Sequence, residues 1–584
     1  MASRRTALWL LTTFLFLLLG FTLLVWGLNR LLVGATPTVG SGTILDVRLQ
    51  GEIGELAQRG PFVGPLTVRE IDDAIRRAAD DTRVAGLFLD VGPLFGGFAK
   101  TQEIRAAVAA FKASGKPVIA LLESGSNLDL YAAAAADTIF QVPSGQLVLG
   151  LLVQQPFYRD LLDKLGARLE VFASGPYKTA FHSFVNRSMT DAQREMSESL
   201  LASIYEQWLA AVAEDRALTR EQLAAVFDEG LVSARRAREA GLVDELGYRD
   251  EVDARLAEVA GRSPRRLGVR EYLRATAPSA VEGLLARDNV IALIHVSGLM
   301  VPGEVEDGLF ASNVVGGATI AGYVREARRD AAVKAIVMRI DSGGGAATAA
   351  DVMGREIELA AQSKPVVASM SDVAGSGGYW IASKASWIVA DPGTYTGSIG
   401  VVMGKLDLQG TYELLGVDYE LLRAGENADL LSEAASLRPE QAALLEATVE
   451  ETYRDFIAVV AAGRDMDAAA VDAVAQGRVW TGAQAVERGL VDELGGLREA
   501  LAWARSEADI GPQERLTIRT YPPRRTLFEE LSRAFTTVAA GGIPGGVAGR
   551  AAAAVFSGWE RVQLLQSAGP LWMLMDAALP VAAR

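Results

Sequence analysis

Two tandem α/β domains behind a single N-terminal transmembrane helix are what this sequence predicts, and three observations predict it. The first is an internal repeat. Lys116-Pro117-Val118-Ile119-Ala120 recurs as Lys364-Pro365-Val366-Val367-Ala368, and Gly241-Leu242-Val243-Asp244-Glu245-Leu246-Gly247 recurs as Gly489-Leu490-Val491-Asp492-Glu493-Leu494-Gly495. The offset stays near about 248 residues across the two halves, a register that chance similarity does not keep. The second observation is that short apolar, β-branched runs alternate with helix-length stretches, as in βαβ units built around a buried parallel sheet. The third is an uncharged apolar run over 7–28, close to the roughly 20 residues that span a bilayer.

Composition narrows the function classes. The chain has 584 residues, half of them apolar and 22% charged, which fits folded material too large for one core. A net charge of -15 with no basic cluster argues against nucleic-acid binding. With no cysteine and only His182 and His295, thiol catalysis and cysteine-built zinc sites are excluded, and a Ser-His-Asp scheme has almost no candidates. Both histidines read as structural, because a triad would also need a placed acid.

Taken in order, Arg4 and Arg5 precede the apolar run and Arg30 follows it, so the positive-inside rule puts the N-terminus in the cytoplasm and the rest outside. A cleaved signal peptide, with Val33-Gly34-Ala35 as its cleavage site, is the rival reading. The apolar core is about twice as long as the usual 7–15 residues, which favours an uncleaved anchor. Residues 1–42 thus form a cytoplasmic stub, the anchor and a linker. The first repeat with its interdomain linker follows over 43–287, the second repeat over 288–506 and an extension over 507–584. Strands are expected over 289–296, 332–340 and 365–370, a helix over 348–362, and long amphipathic helices over 191–215 and 439–463. Beyond 506 a strand is expected over 515–521 and a helix over 526–539. A glycine-rich joint follows over 541–549, then the apolar tail Pro570-Leu571-Trp572-Met573-Leu574-Met575, expected to pack on the second repeat.

Chemistry concentrates in Ser369-Met370-Ser371-Asp372-Val373-Ala374-Gly375-Ser376-Gly377-Gly378-Tyr379-Trp380, where a strand pattern turns into a helix pattern. Ser376 between glycines is either a nucleophile on a sharp elbow or a plain cap of the next helix. Laying one repeat on the other puts Leu128 opposite Ser376, Asp129 opposite Gly377, and Ala428 opposite Lys178. One half therefore carries a candidate nucleophile and the other a candidate amine. A serine needs a base to take its proton. A lysine can be that base only when neutral, about 3 pKa units below its ordinary value of about 10.4, or roughly 4 kcal/mol of desolvation. Pro176, Tyr177, Ala180 and Phe181 around Lys178 suit this; an ordinary surface lysine is the other reading. The amide of Gly377 and one from Gly343-Gly344-Gly345 can offer donors to a developing oxyanion. In Thr396-Gly397-Ser398-Ile399-Gly400, Ser398 either orients the lysine or belongs to simple turn chemistry.

Ser376-Gly377-Gly378-Tyr379-Trp380, Tyr177-Lys178 and Thr396-Gly397-Ser398-Ile399-Gly400 resemble the long, duplicated form of the signal peptide peptidase A family, from the anchor through both repeats to the tail. That resemblance implies two tandem Clp-protease/crotonase-like (ββα superhelix) domains and a Ser/Lys-dyad serine protease. Ser376 would be the nucleophile, Lys178 the general base and Ser398 the residue holding the lysine, with Gly344 and Gly377 forming the oxyanion hole. It further implies a homotetramer in the inner (plasma) membrane, degrading hydrophobic signal peptides outside the cytoplasm, without metal or organic cofactor. Two departures stand out: Asp341 and Gly343 replace the usual Asn and Pro of an Asn-Ser-Pro-Gly-Gly loop, and Gly375 replaces a commoner Ala. A catalytically silent membrane scaffold and a crotonase-type acyl-CoA enzyme are the competing readings. The unmatched serine and lysine in opposite halves argue against the first, and an extracytoplasmic location argues against the second.

Overall fold

The computed structural model describes residues 37–56, 64–277, 289–305, 314–523 and 572–574. The expected membrane span over 7–28, the helix over 526–539 and the glycine joint over 541–549 lie outside the described residues. Among the described residues no helix is long and apolar enough to cross a membrane.

The sheets of the two repeats share six parallel strands in the same order, and the second adds Tyr395–Gly397, parallel to Val366–Gly375, and Val479–Thr481, antiparallel to Tyr395–Gly397. In the first, the strands run in the order Arg265–Gly268, Thr43–Glu52, Val84–Phe95, Val118–Leu122, Thr138–Gln141, Glu245–Leu246, all neighbours parallel. In the second, Thr517–Tyr521, Val290–Ser297, Val333–Ser342, Val366–Gly375, Trp387–Ala390 and Glu493–Leu494 repeat that order, again all parallel. The strand expected over 515–521 is thus the edge strand of the second sheet.

Side-chain alternation explains why both faces of this sheet are covered. Ile291, Leu293, Ala335, Val337 and Val367 face one way, against Leu497, Ala500 and Ala504 of helix Leu497–Glu507. Ala292, Ile294, Ile336, Met338 and Ile340 face the other, against helices Gly317–Arg329 and Ala347–Ala361. The long helices Asp191–Arg216 and Pro439–Arg464 have 26 residues each. Thr190 caps the first of them by accepting from the Gln193 N–H. Its Trp208, fully buried, donates from Nε1 to Asn127 O at 2.9 Å.

Two features bind the repeats into one body. A further sheet runs Val314–Gly316, Leu299–Val301, Gly344–Ala346, Trp572–Leu574, Val402–Asp407, Arg168–Ala173. In it, Arg168–Ala173 of the first repeat pairs antiparallel with Val402–Asp407 of the second, from Ala173 opposite Val402 to Arg168 opposite Asp407. The tail strand Trp572–Leu574 lies antiparallel to Gly344–Ala346 and meets Val402 on its other side. The second feature is ionic. Arg339, fully buried in the central strand of the second sheet, donates from Nε and Nη2 to the two carboxylate oxygens of Glu55 at 2.9 Å each, and also to Glu103. Both acids come from the first repeat.

A charge pair taken out of water costs stability when one partner is removed, because the other is left uncompensated. Arg339→Leu is therefore expected to lose about 3–5 kcal/mol, and adding Glu55→Gln and Glu103→Gln to recover most of it. Urea unfolding measures both; a single-variant loss under about 1 kcal/mol would mean that the two carboxylates find water instead.

Candidate active site

The strand Val366–Gly375 ends where helix Gly377–Ala382 begins, and Ser376 is the joint. Its backbone sits at φ 54°, ψ -115°, a region costing a non-glycine residue on the order of 1–3 kcal/mol unless its surroundings fix it. They do: the Ser376 N–H donates to Gly397 O at 2.8 Å, and its carbonyl accepts from the Trp380 N–H at 2.8 Å. The Ser376 side chain does not cap the helix that it precedes. Its Oγ accepts instead from Lys178 Nζ at 2.8 Å. Gly377 sits close to the glycine loop: a Cβ there would stand 3.2 Å from both Gly344 Cα and Met300 Sδ.

Lys178 arrives from the other repeat along the cross-repeat ladder. Just past Ala173, the Ser174 N–H donates to Val401 O at 2.9 Å and Ser174 Oγ accepts from the Val401 N–H at 2.7 Å. The Tyr177 N–H donates to Gln476 O at 3.1 Å, and Phe172, Ala180 and Phe181 pack on the core of the second repeat. The lysine is 1% exposed. Besides Ser376 Oγ, its Nζ donates to Ser398 O at 2.9 Å and Ser398 Oγ at 3.0 Å. Ser398 too holds a left-handed backbone, φ 49°, with its N–H on Arg478 O at 2.7 Å. Lys178 Nζ is thus held between Ser376 and Ser398, within hydrogen-bond reach of both hydroxyls.

The glycine loop lies alongside. Ser342 Oγ donates to Gly298 O at 2.6 Å and accepts from the Gly344 N–H at 3.1 Å. The Gly344 amide, expected to face an oxyanion, is thus engaged by the hydroxyl of its own loop. In the first repeat the equivalent place is filled. Asp129, opposite Gly377, accepts from the Leu94 N–H at 2.8 Å and the Ser126 N–H at 2.6 Å, and burial pushes its carboxyl up.

Family comparison decides what this arrangement belongs to. The model of peptidase family S49 matches twice, over residues 110–262 and 358–511. The chain belongs to peptidase family S49. It is a serine protease, and it is 36% identical to "Serine protease SPPA, chloroplastic" of Arabidopsis thaliana, over 82% of this chain and 71% of that one. To "Protease 4" of Salmonella typhi it is 35% identical, over 74% of this chain and 71% of the relative. Among solved structures it is similar to a "1510-N membrane-bound stomatin-specific protease", with 15% identity, 40% of this chain and 99% of that one covered, and a TM-score of 0.26.

Other groups near the repeat interface escaped the sequence reading: Arg339 with Glu55 and Glu103, and Lys100 with Asp341 and Asp372. A signal existed for the first. An arginine inside the apolar run over 332–340 has to be buried with its counter-ion. Among the described residues, no group of three or more His, Asp or Glu side chains is placed to hold a metal ion.

His295 lies beside Arg339 in the sheet and is 4% exposed. Burial, opposed by Glu55, pulls its imidazole from 6.5 down to about 4. The folded chain therefore keeps it neutral where the unfolded chain binds a proton. Stability from this group is full above pH 6.5 and is lost as the pH falls toward 4, by about 3 kcal/mol in all. His295→Leu is expected to flatten that acid limb in urea midpoints taken from pH 7 to pH 4; slopes equal to the wild type would show that other groups carry it.

Proposed function

We propose that this serine protease is a membrane-anchored endopeptidase that degrades released signal peptides with a Ser376/Lys178 dyad shared between its repeats. The observation that carries this reading is the 2.8 Å contact of Lys178 Nζ with Ser376 Oγ, both side chains being buried. Neutral Lys178 takes the Ser376 proton as Oγ attacks the scissile carbonyl carbon. The resulting ammonium gives that proton to the departing amine as the C–N bond breaks. Water then attacks the acyl ester as Lys178 takes its proton, and Lys178 returns that proton to Ser376 Oγ as the ester C–O bond breaks. Ser398, through its carbonyl and hydroxyl, holds the amine on line with Ser376 Oγ. The amides of Gly377 and Gly344 stabilise the oxyanion, the second after exchanging the Ser342 hydroxyl for the substrate oxygen.

An extended substrate takes the side of Gly344–Ala346 on which the chain's own strand Trp572–Leu574 lies, displacing that strand. β-Strand addition of this kind recognises backbone and takes side chains in alternate pockets, which suits apolar leader peptides. The anchor over 7–28 holds the catalytic repeats on the outer face of the inner (plasma) membrane. The enzyme assembles as a homotetramer. Leu414, Leu415 and Leu422, exposed by 68%, 70% and 98%, supply an apolar surface that a monomer would leave wet.

Hydrolysis of a hydrophobic leader peptide by the detergent-solubilised chain tests the dyad. Ser376→Ala and Lys178→Ala are each expected to lower kcat by at least about 1000-fold with the assembly intact. Turnover persisting in Lys178→Ala would require another base. For the assembly, Leu415→Asp with Leu422→Asp is expected to lower the mass measured by light scattering; an unchanged mass would place the contact elsewhere.

A further inference from the structure

The first repeat reaches the second repeat's site at another point, through helix Phe98–Lys112. Lys100, 8% exposed, donates from Nζ to Asp341 Oδ2 at 2.8 Å and stands 3.2 Å from Asp372 Oδ2. Asp372 is gripped further by the start of the same helix, accepting from the Gly97 N–H at 3.0 Å and the Lys100 N–H at 3.1 Å. Only glycine fits at position 97, because a Cβ there would lie 2.4 Å from Asp372 Cγ. Gly96-Gly97 is the repeat counterpart of Gly344-Gly345. The first repeat therefore spends its amides at that place on a carboxylate of the second.

The two acids belong to the two segments that form the site. Asp341 leads directly into Ser342-Gly343-Gly344, and Asp372 lies in the strand that delivers Ser376. Asp341 Oδ1 also accepts from the Val373 N–H at 3.3 Å, so loop and strand touch here. Two buried carboxylates facing each other repel unless a cation stands between them. Burial, with Asp372 adding to it and Lys100 opposing, pushes Asp341 up to about 6. Against burial, Asp372 and Asp341 hold the Lys100 ammonium above its ordinary range.

We propose that Lys100 is a positioning residue of the protease: its ammonium ties Asp341 to Asp372 and so fixes the spacing between the Gly344 loop and the Ser376 elbow. This rests on Ser376 being the nucleophile. Ser376 and the loop amides must address one carbonyl carbon and its oxygen, and displacements near 1 Å at such sites cost about 100-fold in rate. Lys100 touches neither, so its effect falls on kcat through geometry.

Hydrolysis of a fluorogenic leucine-rich peptide amide by the detergent-solubilised full chain tests this. Lys100→Met is expected to lower kcat about 10–100-fold with KM within about twofold. Adding Asp341→Asn removes one unpaired carboxylate and is expected to recover at least about 5-fold, still below wild type. Lys112→Met, on the same helix, is expected to keep the wild-type kcat. Lys100→Met with kcat within about twofold of wild type overturns the proposal, as does a loss confined to KM or matched by an equal loss of folded protein in circular dichroism. If Lys100→Met alone does not fold, the double variant decides, and wild-type kcat in it overturns the proposal. Ser376→Ala runs in the same assay. A wild type without turnover, or Ser376→Ala with wild-type turnover, overturns the nucleophile reading and this one with it. An inactive Ser376→Ala beside an unimpaired Lys100→Met removes the positioning role alone.

Discussion

The antiparallel ladder between Arg168–Ala173 and Val402–Asp407 is the constraint on which the site depends. Neither repeat contains both a serine on an elbow and an amine to meet it. The ladder runs out at Ala173, and within the next turn of chain Lys178 has entered the second repeat. There backbone from Ile399 to Val401 and from Gln476 to Arg478 closes around it. Because the ladder fixes register residue by residue, a slip of one position would turn Lys178 away from Ser376. The packing of Phe172, Ala180 and Phe181 into the second core makes such a slip costly.

Duplication explains the asymmetry of the halves. Two copies with the same strand order carry different residues at corresponding places, Leu128 opposite Ser376 and Ala428 opposite Lys178, so each supplies one half of the pair. In the first copy Asp129 occupies the place of Gly377 and takes the local amides for itself. That copy keeps its fold and becomes a support. Its glycine loop holds Asp372, its Glu55 and Glu103 hold Arg339, and its Lys178 reaches the serine. A buried arginine and a buried lysine, each answered by acids of the partner repeat or facing them, also pin the docking angle. Apolar contact alone is too permissive to do that.

Much of this was legible in one dimension. The repeat of Lys116-Pro117-Val118 as Lys364-Pro365-Val366, with the alternation of apolar runs and helix-length stretches, gave the paired α/β sheets, because periodicity is local and survives without contacts. Comparing the copies brought out Ser376 and Lys178, since each sits in a motif of the right chemistry in one half and is unmatched in the other. That comparison does not tell what Lys100, Asp341, Asp372, Glu55 and Glu103 pair with. Each is an ordinary charged residue until its partner from the other repeat is known, and the sequence separations are in the hundreds.

What the sequence by itself determined is the set of parts: two homologous α/β units, an elbow serine in one and a lysine in the other. Those features are written in spacing and in differences between copies. What only the tertiary structure decided is their meeting: the 2.8 Å contact of Lys178 with Ser376, the turning of the Gly344 amide onto Ser342, and the cation shared by Asp341 and Asp372. The physical reason is range. Helix and strand patterns report interactions between near neighbours in the chain, whereas charge pairing across a buried interface depends on how two repeats dock.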